Sequence, residues 1–310
     1  MNKLSRTTEK SCLNGSMVAL ITPMDNEGQI NFKDFERLIH YHLENKTDGL
    51  VILGTTGEAA TISAKEREKV IKTAVSLVTG KIPVIIGTGH NCTQKAIELT
   101  KEAAHLGADA GLIVTPYYNK PSQKGLIAHY KAIASNTDLP IILYNVPGRT
   151  ACDMLPETVA ILANDPDVPN IIGLKEAVGS TDRINQLINL CPKNFSILSG
   201  DDETFLNLLK AGGHGIISVT CNIVPEQLSN ICRHARNKNW QECEELNSRL
   251  INLHQALFVS ANPMPIKWAM YKSGLISTPN CRLPLLPLES RFYDILIAAL
   301  SKAGIMSEQI

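Results

Sequence analysis

Eight short apolar, β-branched runs recur along this chain, each followed by a longer stretch with helical spacing, and that alternation limits the folds open to it. The runs occupy residues 18–21, 50–53, 84–87, 110–114, 141–144, 171–175, 195–198 and 215–219. Parallel strands joined by right-handed helical crossovers satisfy this period, and eight such units close the sheet as a (β/α)8 TIM barrel. A doubly wound open sheet is the alternative, but the first run lacks the Gly-x-Gly-x-x-Gly turn of dinucleotide-binding sheets.

Helix starts fall between the runs. Asn31 precedes an amphipathic stretch reaching His42, and Ser63 with Glu66 has capping-box spacing. Pro156, Asp201 and Pro225 mark further helix starts or caps. Beyond about residue 238 the strand pattern stops, and 240–260, 264–272 and 289–303 read as helices joined through Pro279, Pro284 and Pro287. The expected organisation is an N-terminal arm over 1–14, a barrel over 15–238 and a C-terminal helical extension over 239–310. At 310 residues and 44% hydrophobic, the chain has the material for a barrel of roughly 250 residues plus an appendage.

Thirty basic and thirty acidic residues cancel, so no global field draws the chain to nucleic acid or an anionic membrane. The eight cysteines are scattered singly, without Cys-x-x-Cys pairs or zinc spacing with histidine. They read as free thiols in a reducing cytoplasm, and no metal is expected. Lys3, Arg6 and Lys10 precede the apolar run 17–22, but Pro23 and Asp25 end that run too early for a signal peptide. No apolar stretch approaches the roughly 18 residues of a transmembrane helix.

In a barrel of this kind chemistry gathers at the carboxyl ends of the strands, and unusual polar residues fall there repeatedly. Lys175 ends the sixth run. An ammonium among aliphatic side chains is disfavoured by desolvation, and a neutral amine is a carbonyl nucleophile, which points to Schiff-base chemistry. On that strand alone a lysine snorkelling to water is the better account. Tyr144 ends the fifth run, where a phenol hydrogen-bonded to a threonine hydroxyl would shuttle a proton; an ordinary core tyrosine is the other reading. Gly54-Thr55-Thr56-Gly57 after the second run suits a carboxylate, or merely turns into a capped helix. Glu58 reads as an orienting residue or turn anchor. Arg149 follows a Pro-Gly turn and could clamp a second carboxylate, or sit on the surface. Tyr117 and Tyr118 lie on a loop between Pro116 and Pro121, fit to project into a neighbouring site or to pack at an interface.

Taken together, Gly54-Thr55-Thr56-Gly57-Glu58, Val114-Thr115-Pro116-Tyr117-Tyr118-Asn119, Leu143-Tyr144-Asn145-Val146-Pro147, Gly173-Leu174-Lys175-Glu176-Ala177 and Leu198-Ser199-Gly200-Asp201-Asp202 resemble, in order, the motifs of the 4-hydroxy-tetrahydrodipicolinate (dihydrodipicolinate) synthase family of pyruvate-dependent class I aldolases. The resemblance runs from Gly15 into the C-terminal helices. It implies a (β/α)8 barrel with a C-terminal helical domain, assembled as a homotetramer of tight dimers. It also implies that Lys175 forms a Schiff base with pyruvate, whose enamine attacks L-aspartate 4-semialdehyde on the route to diaminopimelate and lysine. No cofactor other than that covalent pyruvate is implied.

By the same resemblance Thr55, Tyr144 and Tyr118 form a proton relay, with Tyr118 donated across the tight dimer. Thr56 and Thr55 contact the pyruvate carboxylate, Arg149 the semialdehyde carboxylate, and Gly200 and Ile217 line the site through their backbones. An allosteric cleft for lysine would correspond to Ala59, Ala60, Ala64, Arg67, Asn91, Lys95 and Tyr117. Lys95 stands where the family's feedback-sensitive members have an acidic residue, and Ala64 where a ring is common. Two cations there oppose a cationic inhibitor, so weak or absent inhibition is expected. N-acetylneuraminate lyases and 2-keto-3-deoxy sugar-acid aldolases share the barrel, lysine and tyrosine; Thr55-Thr56 and Arg149 favour the synthase. A non-catalytic keto-acid-binding barrel needs neither Lys175 nor Tyr144, and the histidines show no clustering for a metal-dependent aldolase.

Overall fold

A computed structural model describes residues 12–306. The expected 1–14 arm therefore lies outside the described residues except at its end, where Leu13 is buried against the barrel interior. Eight parallel strands form a closed barrel in sequence order: β1 (Gly15–Ala19), β2 (Gly49–Ile52), β3 (Val84–Gly87), β4 (Ala110–Val114), β5 (Ile141–Asn145), β6 (Ile171–Glu176), β7 (Ser196–Ser199) and β8 (Gly215–Ser218). β8 closes onto β1 through the register Gly15 with Gly215 to Val18 with Ser218. The fold expected from the alternating runs is thus the one observed.

Alternation along the strands sorts side chains between two environments. Met17, Ala19, Val51, Ile85, Ala110, Leu112, Ile142, Leu198 and Ile217 fill the barrel interior. Their neighbours Val18, Leu50, Ile52 and Ile216 face outward, into a core shared with the helices. Both faces being covered explains why the strands read as continuous apolar runs.

The crossover helices are α1 (Phe32–Glu44), α2 (Ala64–Val78), α3 (Thr93–His105), α4 (Gln123–Ala134), α5 (Pro147–Thr150), α6 (Pro156–Ala163), α7 (Thr181–Leu190), α8 (Phe205–Lys210) and α9 (Pro225–Arg236). The Asn31 side chain caps α1 through the Asp34 N–H, and Ser63 and Glu66 form the full capping box of α2. Pro156 and Pro225 occupy first-turn positions, where a missing N–H costs nothing. Asp201 is no helix cap. Its carboxylate closes a turn by accepting from the Thr204 N–H at 3.1 Å, and α8 starts one residue later.

The chain continues through α10 (Trp240–Ser248), α11 (Ile251–Ala256), α12 (Met264–Lys272) and α13 (Tyr293–Lys302). The single helix expected over 240–260 is broken: the Leu250 N–H bonds to the Asn247 carbonyl at 2.9 Å, a tighter link that resets the ladder. That link keeps Leu250, Leu253 and Leu257 buried together, so apolar periodicity runs through the break unaltered. The last expected helix opens instead with a 3₁₀ turn, Ser290–Phe292. β1 begins earlier than the apolar run because backbone pairing with β8 starts at Gly15. Among the described residues no helix is long and apolar enough to cross a membrane.

Candidate active site

Tyr144 on β5 and Lys175 on β6 are direct register partners, so both side chains leave the sheet on the same face. Tyr144 packs with Ile142, Leu198 and Ile217, which identifies that face as the barrel interior. Both residues are buried, and the Lys175 Nζ lies 4.5 Å from the centre of the Tyr144 ring. An amine and a phenol therefore lie side by side, buried at the carboxyl end of the barrel.

Gly200, one residue past β7, lets the lysine stem pass. A Cβ there would lie 2.8 Å from Lys175 Cε and 3.1 Å from its Cγ, inside ordinary van der Waals contact. The Gly200 N–H donates to the Glu176 carbonyl at 2.6 Å, holding the two strand ends together. Ile217 pairs with Met17 and lines the same interior.

Glu176 points the opposite way. Its buried carboxylate accepts from Arg183 Nε at 2.9 Å, the Val178 N–H at 2.9 Å and Asn145 Nδ2 at 3.2 Å. Burial pushes this carboxyl above its usual range, against the pull of Arg183. Arg183 also reaches Asp153 and the Met154 carbonyl, so the strand end bearing Lys175 is anchored from outside.

Thr56 and Arg149 come together through a residue that sequence reasoning missed. Asn262, between α11 and α12, donates from Nδ2 to Thr56 Oγ1 at 2.9 Å, and its main-chain carbonyl accepts from Arg149 at 3.3 Å. Glu58 is the turn anchor expected of it: it has a left-handed φ of 55°, forms a fully buried ion pair with Lys267, and accepts from the Arg282 N–H at 2.9 Å. Lys267 Nζ further donates to the Asn280 carbonyl at 2.7 Å. The β2 rim loop is thus fastened to the C-terminal helices beside the two threonines. Buried Asp202 ties the loop after β7 to the end of β8, accepting from the Ser218 hydroxyl and the Val219 and Thr220 N–H groups.

Thr55 is half-buried on the β2 loop. Among the described residues no hydrogen bond joins its hydroxyl to Tyr144 or Tyr118, so one chain alone does not close the expected relay. Tyr118 is 89% exposed, with a left-handed φ of 75°. For a residue with a bulky side chain that backbone is costly, and here it aims the ring away from its own barrel.

Of the cleft positions, Tyr117 packs edge-on against His90, and the Asn91 carbonyl accepts from Asn119 at 2.8 Å. Ala59 and Ala60 lie in a 3₁₀ turn and Ala64 opens α2. The two cations are less free than their charges imply: Arg67 pairs with Glu102 at 2.9 Å and bonds the Gly87 carbonyl, and Lys95 pairs with Glu98 at 3.3 Å. Among the described residues no grouping of His, Cys, Asp and Glu could hold a metal ion.

Residues 12–303 match the model of the dihydrodipicolinate synthetase family. A 4-hydroxy-tetrahydrodipicolinate synthase of Shewanella piezotolerans is 52% identical over 293 residues, covering 94% of this chain and 99% of the relative. Among solved structures, the chloride-inhibited dihydrodipicolinate synthase of Acinetobacter baumannii in complex with pyruvate superposes with a TM-score of 0.92 at 48% identity, covering 95% of this chain and 100% of that one. A monomeric dihydrodipicolinate synthase variant superposes with a TM-score of 0.91 at 42% identity, covering 95% and 98%. The chain belongs to the dihydrodipicolinate synthetase family.

Proposed function

We propose that this member of the dihydrodipicolinate synthetase family is a Schiff-base-forming lyase, a 4-hydroxy-tetrahydrodipicolinate synthase that condenses pyruvate with L-aspartate 4-semialdehyde. The observation that carries this reading is the buried Lys175 amine set 4.5 Å from the Tyr144 ring inside the barrel. A binding protein gains nothing from a nucleophile enclosed with a proton donor, whereas imine formation needs both.

The Lys175 amine adds to the C2 carbonyl of pyruvate to give a carbinolamine. Protonation of its hydroxyl expels water and leaves the imine. Tyr144 supplies that proton and regains it through Thr55 and Tyr118. Loss of a C3 proton gives the enamine, whose C3 attacks the aldehyde carbon of the semialdehyde. The amine of the second substrate then adds to C2 and displaces the lysine, closing the ring and regenerating the free enzyme.

Thr55 and Thr56 hold the pyruvate carboxylate at the turn after β2, and Arg149 clamps the semialdehyde carboxylate. Gly200 and Ile217 shape the wall. Tyr118 acts in the site of a partner chain, which its exposure and outward aim support, so the working unit is a tight dimer and the assembly a dimer of such dimers. Eight unpaired cysteines suit a reducing cytoplasm.

Steady-state assays with pyruvate plus L-aspartate 4-semialdehyde, set against cleavage of N-acetylneuraminate, test the assignment. Saturable semialdehyde-dependent condensation is expected. Efficient sialic acid cleavage without condensation would move the chain to the lyase branch.

A further inference from the structure

Thr56, on the loop after β2, and Arg149, on α5 after β5, are the two groups read above as carboxylate contacts, yet both bond to Asn262. We propose that Asn262 is a positioning residue that fixes the direction of the Thr56 hydroxyl proton and ties that hydroxyl to Arg149. This rests on the proposed function and goes beyond it, because Asn262 touches the residues that meet substrate.

The argument is one of donors and acceptors. A side-chain amide nitrogen only donates, so its bond at 2.9 Å uses a lone pair of Thr56 Oγ1 and turns the hydroxyl proton elsewhere. Among the described residues no acceptor takes that proton. A carboxylate, which only accepts, is its natural partner. Thr56 and Asn262 are 3% and 6% exposed, so water competes little for this bond. Asn262 Oδ1 is itself buried without a partner, so the amide is held by its nitrogen, through the bond to Thr56. The main-chain carbonyl of Asn262 meanwhile holds Arg149, and that bond does not depend on the side chain.

The two contacts therefore come apart on substitution. Asn262→Asp preserves shape, but its carboxylate accepts the Thr56 proton and places a negative charge beside the keto-acid carboxylate. The KM for pyruvate is expected to rise about 10- to 100-fold, with the KM for the semialdehyde changed less than about threefold. Asn262→Ala, which removes the donor without adding charge, should raise the pyruvate KM several-fold in the wild-type background and have no further effect on Thr56→Ala. This cycle keeps the proposal open to refutation should Asn262→Asp fail to fold.

An unchanged pyruvate KM in Asn262→Asp would overturn the proposal, as would an undiminished effect of Asn262→Ala on the Thr56→Ala background. Equal rises in both KM values with a lowered melting temperature would show a merely structural role and overturn it too. Borohydride trapping of pyruvate on the wild-type enzyme separates the two levels. Absence of a Lys175 adduct defeats the proposed function itself; an adduct with an unresponsive Asn262→Asp defeats only the positioning role.

Discussion

Gly200→Ala separates the geometry of the lysine from the stability of the barrel. The added methyl would lie 2.8 Å from Lys175 Cε, 3.1 Å from its Cγ and 3.1 Å from Ala177 Cβ. Ordinary carbon contacts fall at about 3.5–4.0 Å, so the stem must retreat by roughly 0.7–1.2 Å. It has little room to do so, because the Tyr144 ring stands 4.5 Å from Nζ and Leu198 is the register partner on the other side. A displacement near 1 Å at a reacting amine costs on the order of 100-fold in turnover. Gly200 is not among the glycines with positive φ, so alanine fits its backbone, and the reduced freedom of the unfolded chain offsets about 0.4–1 kcal/mol of the strain. Steady-state kinetics alongside a thermal melt should show kcat down by one to two orders of magnitude with Tm nearly constant. Wild-type turnover would refute the confinement of the lysine. A matched collapse of Tm and kcat would refute its separation from folding.

Other consequences follow from the same contacts. Lys267→Met leaves Glu58 buried without its ion pair and should cost about 3–5 kcal/mol in urea unfolding, with part regained on adding Glu58→Gln; a loss below about 1 kcal/mol would contradict the buried pairing. Burial lowers His42 from 6.5 to about 3 and His129 to about 4, and bonding to Arg282 lowers Glu66 from 4.5 to about 2. The unfolded chain therefore binds these protons first as pH falls. The histidine contributions are lost from about pH 6.5 downward and that of Glu66 from 4.5 toward 2, so the urea midpoint should decline steadily below pH 6.5, and a midpoint flat from pH 7 to 5 would disagree. Lysine should inhibit weakly or not at all if the cleft lies where the family resemblance puts it, since Lys95 and Arg67 are cations at those positions, each tempered by its glutamate partner; half-maximal inhibition at submillimolar lysine would oppose this.

The barrel was legible because strands covered on both faces are written as unbroken apolar runs, and Lys175 and Tyr144 stood out as polar groups ending such runs. What sequence alone missed depends on distance along the chain. Asn262 meets Thr56 across 206 residues and Lys267 meets Glu58 across 209, and neither carries a local pattern that announces its partner. The helix expected over 240–260 failed for a different reason: its apolar spacing passes through a 3₁₀ link without a breaker residue to mark it. The Asp201 cap failed because the same side-chain bond that starts a helix also closes a turn.

The central claim is that Lys175 is the nucleophile for pyruvate. Borohydride reduction of the folded protein in the presence of pyruvate, followed by peptide mass spectrometry, should place a single reduced pyruvyl adduct on Lys175. Lys175→Ala should remain folded, unlabelled and nearly inactive. A folded wild-type protein whose Lys175 stays unmodified, or an alanine variant with near-normal turnover, would contradict the account.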